Sequence, residues 1–167
     1  MSSPSFLRFW AVLTALVAAL SLGPSFAHVL ESVPRMTVWS PELWREATVF
    51  NGQFQLFATI GAPLDISAIV LPAVLAFLLR GQRRAMWLAF ATAALFALGL
   101  ALWATIVAPA NAVLATWTPG PIPDDFEAIR DRWEYGHMCV AAAKGLGVAI
   151  LAAALVNIDA CGPDRLR

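Results

Sequence analysis

The chain has 167 residues, of which 60% are hydrophobic and 13% charged, with no formal net charge and a mean hydropathy of +0.72. Soluble domains carry about 25% charged residues, so this composition excludes an ordinary soluble domain. The zero net charge excludes bulk attraction to nucleic acid.

Four apolar runs follow in chain order: residues 9–30, broken by Gly23-Pro24; residues 49–79, with Pro63 and Pro72 inside; residues 85–108; and residues 133–156. Each exceeds the roughly 20 residues that a helix needs to cross about 30 Å of hydrocarbon. No ten-residue blocks of alternating polarity occur, which argues against a barrel. Helices and closed barrels are the backbones that satisfy their own hydrogen bonds in lipid. The expected fold is therefore all-α, a single four-helix transmembrane domain over 1–167, with the lipid bilayer as its partner. The first run has a rival reading as a signal peptide. Arg8 precedes it and Ser25-Phe26-Ala27 is a small-x-small site; the weakly basic start and the apolar continuation to Leu30 favour an uncleaved helix.

The loops set an expected orientation. With four spans, Arg8, Arg80, Arg83, Arg84, Arg165 and Arg167 share one side, and Arg35, Arg45, Arg130 and Arg132 the other. Six against four places both termini in the cytoplasm of a bacterial-type inner membrane. The 109–123 connection, rich in Pro, Gly and Thr, reads as an ordered external loop. Cys139 and Cys161 are about 22 residues apart along or beyond one helix, too far for a disulfide, and show no metal spacing.

Polar residues in apolar spans face the bundle interior, and this topology gathers them at one outer level. His28 and Glu31 share a face of the first helix, and Glu134 and His137 a face of the fourth. Asn51, Gln53 and Gln55 begin the second, and Asn111 ends the third. Glu-x-x-His on a bundle helix is also the carboxylate-bundle metal motif, so His28, Glu31, Glu134 and His137 are candidate ligands of a divalent metal, or a haem site. The alternatives are a catalytic or small-molecule pocket, and buried Glu–His hydrogen bonds that fix helix register.

Lys144 lies seven residues beyond His137, on the same face and about 10 Å deeper. Asp65 is the acid it is expected to meet as an intramembrane ion pair; the alternative is that Lys144 snorkels or lines a water-filled pocket. Trp39, Trp44, Trp117 and Trp133 fall near the outer interface, where Trp forms anchor belts; the alternative is the wall of an aromatic-ligand pocket. Gly145 and Gly147 read as close-packing positions.

Two stretches resemble a known family. Pro109-Ala-Asn-Ala-Val-Leu-Ala-Thr-Trp117-Thr followed by Arg132-Trp-Glu-Tyr-Gly-His137, and Gly23-Pro-Ser-Phe-Ala-His-Val-Leu-Glu-Ser-Val-Pro34, resemble the anthrone-oxygenase-like family of small four-helix membrane proteins. Most members have no assigned function. The resemblance implies a four-helix transmembrane fold and a shared set comprising Asn111, Trp117, Trp133, Glu134 and His137. It also implies, through fungal relatives that oxidise anthrones without an obvious cofactor motif, that His28 or His137 acts as a base on a phenol or activated methylene, with dioxygen as the oxidant. The functional expectations are thus three. One is a membrane protein with a polar His/Glu/Asn pocket, in which Asn51, Gln55, Asn111, Trp117 and Trp133 touch a small apolar or aromatic ligand. The second is a cofactor-poor oxygenase of anthrone-, quinone- or polyphenol-like substrates. The third is a non-enzymatic subunit or ligand binder. Four helices without paired discontinuous repeats do not read as a transporter.

Overall fold

The structure, a computed structural model, describes residues 3–51 and 55–159, except for the side chains of residues 55, 56, 58 and 159. Among the described residues it is helical and has no strand. Helix α1 spans Pro4–Thr37, α2 Pro41–Arg45, α3 Gln55–Leu78, α4 Arg83–Leu102, α5 Ala108–Leu114 and α6 Phe126–Asp159. Wide π turns at Glu46–Phe50 and Trp103–Val107 follow α2 and join α4 to α5. Four helical stretches, Pro4–Thr37, Thr59–Leu78, Arg83–Leu114 and Phe126–Ile158, are long and apolar enough to cross a membrane. The protein is an all-α, multi-pass membrane protein.

The bundle is a ring: α1 packs on α3, α3 on α4, α4 on α6, and α6 back on α1. Its helices run alternately up and down. Two apolar cores occupy the two ends. Ala18, Leu75, Leu79, Ala89, Phe96 and Leu151 fill the end that carries the Leu79–Gln82 turn. Trp44, Val107, Leu114, Phe126 and Trp133 fill the other, called here the tryptophan end.

Helix α1 shows why the chain folds this way round. Its buried positions are Thr14, Ala18, Ser21, Ser25, His28, Ser32 and Arg35. They alternate in steps of four and three, the spacing of one helix face. That inward face is small or polar, while Phe9, Val12, Leu16, Leu20, Leu30 and Val33 lie exposed on the outer faces. In lipid, apolar side chains gain nothing by burial against protein. Small residues that admit close approach, and polar groups that need partners, therefore take the interior. The helix runs unbroken through Pro24 and continues past Leu30 to Thr37, one turn and more beyond the expected end.

The third span also extends beyond its expected limit at residue 108. Pro109 has no N–H for the carbonyl of Thr105. Arg132 on α6 fills the gap, its Nη2 donating to the Thr105 carbonyl and its Nε to the Ile106 carbonyl, both at 3.2 Å. The π turn lies directly on Gly136, where a Cβ would stand 2.8 Å from Val107 and 2.9 Å from Ile106. Gly147 does the same against the Phe96 ring, at 3.0 Å, whereas Gly145 faces open space. Of the two expected packing glycines, Gly147 alone meets a neighbouring helix.

Candidate functional site

At the tryptophan end the site begins with a buried charge cluster. Arg35 and Glu134 have side chains 2% and 0% exposed. Arg35 Nη2 donates to Glu134 Oε2 at 3.1 Å. Arg35 Nε lies 2.9 Å from Oε1 in charge contact, without hydrogen-bond alignment. Trp44 Nε1–H donates to Glu134 Oε1 at 2.8 Å, and Arg35 Nη1 donates to Glu31 at 2.9 Å. Both Glu134 oxygens are thus engaged, which a buried carboxylate requires.

Arg35 also reaches His28, with Nη2 3.2 Å from its carbonyl oxygen and 3.4 Å from its Nδ1. Nη2 carries two hydrogens, which Glu134 Oε2 and the His28 carbonyl take at the shorter distances, so the Nδ1 contact does not set the His28 tautomer. The His28 and His137 rings stack, with centroids 4.1 Å apart and planes 18° from parallel. Trp133 meets both rings edge-on, at 5.2 Å from His28 and 4.4 Å from His137. The Trp133 indole N–H donates to Asn111 Oδ1 at 2.8 Å. Because indole nitrogen cannot accept, that bond fixes the amide with its NH₂ pointing away from Trp133.

His28, Trp133, His137 and Asn111 open onto a half-open cavity of about 440 Å³ bounded by α1, α3, α4–α5 and α6. Leu20, Phe57, Leu64, Leu100, Trp103 and Val140 supply its apolar wall. His28, Asn111, Trp133 and His137 line the tryptophan end, and Ser21, Asp65 and Lys144 the far end. There Lys144 Nζ and Ser21 Oγ both donate to Asp65 Oδ1, each at 2.6 Å. Among the described residues His137 makes ring contacts but no hydrogen bond. Its nitrogens are not sealed in the protein.

Comparison with family models, with curated proteins and with solved structures finds no match to this chain. The reading of the site rests on its geometry.

That geometry rearranges the expected layer. In place of two Glu–His pairs, Glu134 turns to Arg35 and Trp44, Glu31 is 56% exposed beside Arg35, and the two histidines meet each other. Coplanar stacking directs the in-plane lone pairs of the imidazoles side by side instead of toward one point. Among the described residues no group of three or more His, Cys, Asp or Glu side chains could hold a metal ion. The donor set does not fit the carboxylate-bundle metal site.

Trp44 is fully buried and Trp133 3% exposed, so these two are interior groups and not interfacial anchors. Trp117 stacks on Phe126 and meets Trp44 edge-on, behind the cavity wall. Asn51 is exposed at the end of the first π turn and does not line the cavity. Gln53, the Gln55 side chain and Cys161 lie outside the described residues. Cys139 is exposed on α6.

Sequence reasoning missed Arg35, taken for a loop residue beyond the first span. The signal was present: Arg35 is seven residues from His28 and fourteen from Ser21, on the same face of a helix.

Proposed function

We propose that the chain is an intramembrane receptor and acid–base site for a flat, apolar-bodied molecule carrying a carbonyl or phenol. Its sharpest form is a cofactor-poor oxygenase of anthrone- or polyphenol-like substrates, related to the anthrone-oxygenase-like proteins that its motifs resemble. The observation that carries the reading is the stacked His28–His137 pair facing the cavity. His28 presents its ring beside His137, and Asn111 offers its NH₂. That amide is a donor suited to a substrate oxygen on which negative charge develops. His137, which makes no hydrogen bond among the described residues, is the base.

The chemistry balances with dioxygen as oxidant. His137 takes a proton from an activated methylene, and the resulting carbanion adds dioxygen. The hydroperoxide then loses water, leaving a carbonyl; one oxygen atom enters the product and the other leaves as water. The apolar wall keeps bulk water from the carbanion.

The same reading places both termini in the cytoplasm of a bacterial-type inner membrane. Support comes from what the outer arginines do. Arg35 pairs with Glu134, Arg45 donates to the carbonyls of Gly120 and Pro121 at 2.7 and 2.9 Å, and Arg132 holds the π turn. Three of the four are thus committed to structure, which leaves Arg80, Arg83 and Arg84 as the free basic loop that orients a chain.

The test is turnover of an anthrone under air by purified protein, followed by dioxygen uptake and product absorbance. Activity is expected to fall by a factor of about 10² or more in His137→Ala. Turnover that persists in both His28→Ala and His137→Ala removes the pair from the mechanism. Saturable binding without turnover leaves a non-enzymatic binder.

A further inference from the structure

The Asp65–Lys144 pair holds more bonding capacity than it uses. Asp65 Oδ1 accepts from both Lys144 and Ser21, while among the described residues Oδ2 has no hydrogen-bond partner. Oδ2 is not sealed from the cavity either. Lys144 Nζ donates to Asp65 and to the Ser21 carbonyl at 3.3 Å. An ammonium has three N–H donors, so one remains. A pair serving only to hold α3 to α6 needs no face on a cavity, yet both residues line it.

We infer that this floor is a second polar subsite, and that it takes a hydroxyl group. The match is one of donor and acceptor count. A hydroxyl donates once to Asp65 Oδ2 and accepts once from Lys144 Nζ. An ammonium cannot accept from Lys144 and would add an uncompensated positive charge beside a neutral ion pair in a low-dielectric site. A carboxylate cannot donate to Oδ2 and would place two anions together.

Lys144 is seven residues along α6 from His137, which separates the two polar poles by about 10 Å. The inference rests on the chamber binding a ligand, and it adds a class: a rigid aromatic molecule with oxygen functions at both ends. Gly99 supports the geometry. A Cβ there would stand 3.4 Å from Lys144 Cγ, so α4 leaves the lysine stem room to lie along the wall with its head at the floor.

The experiment compares two probes of equal body, 4,4′-dihydroxybiphenyl and 4-hydroxybiphenyl, by quenching of Trp fluorescence in the detergent-purified full chain. The diol is expected to bind about tenfold more tightly, the effect of one hydrogen bond to a charged partner. In Asp65→Asn that preference should fall to about twofold or less. Equal affinities in the wild-type protein overturn the second subsite and leave the chamber standing. Binding of neither probe overturns the chamber reading together with it. Should Asp65→Asn not fold, the wild-type comparison alone decides.

Discussion

Removing one half of the Arg35–Glu134 pair should cost far more than removing both. Glu134→Leu leaves a guanidinium 2% exposed with an exposed Glu31 as its remaining acid, and it orphans the Trp44 N–H. Breaking a buried pair costs about 3–5 kcal/mol, and an unsatisfied buried donor about 1–3 kcal/mol. The two penalties share one carboxylate, so about 5 kcal/mol is expected. Arg35→Met combined with Glu134→Leu removes both charges. Replacing a whole buried pair with apolar side chains is close to neutral, which leaves the Trp44 donor and a loss of about 2 kcal/mol. The double variant should therefore be the more stable by about 3 kcal/mol. The assay is thermal unfolding of detergent-purified protein by Trp fluorescence, checked by the fraction that stays monodisperse after heating. The single substitution should lower Tm by about 10 °C or more, and the double by a few degrees. A double variant that melts at or below Glu134→Leu would refute the reasoning, because the charge would not be the source of the loss.

Gly136→Ala pushes a methyl group to within 3 Å of the second π turn and should cost about 1–3 kcal/mol. Gly145→Ala meets nothing and should be neutral or stabilising by about 0.5–1 kcal/mol, so opposite shifts in Tm are expected. Lys144→Ala leaves Asp65 with Ser21 as its hydrogen-bond donor and should cost about 3 kcal/mol; an unchanged Tm would sink the pairing as a stabilising contact. In intact cells, a cysteine placed at Gln82 should resist a membrane-impermeant maleimide while one at Thr118 reacts, and the reverse pattern would invert the proposed orientation.

The four spans were legible because lipid imposes length and apolarity on any helix that crosses it. Their ends were less so. Residues 31–37 carry Glu31, Pro34 and Arg35, which read as a loop by polarity, yet α1 continues because Arg35 finds Glu134 and the His28 carbonyl across and along the helix. Pro109 read as the start of the external connection, yet the helix runs on through it and Arg132 repairs the carbonyl it strands. Neither rescue has a local signature, since each partner comes from another helix. At the site, i to i+3 spacing put Glu134 and His137 on one face but could not say what each would touch. Asp65 and Lys144 could be matched from sequence because each is the lone charge at its depth. The pairing of His28 with His137, by contrast, depends on the rotation of α1 against α6.

That rotation is set by the polar stripe of α1. Seven positions from Thr14 to Arg35 face inward, and most of their polar atoms are consumed locally or by the two ion pairs. Ser32 and Thr14 return bonds to carbonyls of their own helix, at 2.8 Å each, Ser21 supports Asp65, and Arg35 closes the cluster around Glu134. Once these demands are met α1 has no freedom to turn, and His28 must present its ring to His137. A network built only for stability would close on itself at that point, since an open polar atom in an apolar bundle is costly. Instead the His137 nitrogens, the Asn111 amide and Asp65 Oδ2 are left facing one cavity from opposite ends. Buried, paired groups such as Arg35 and Glu134 surround them on the protein side, the arrangement that holds a binding constellation in place while leaving it available to a ligand.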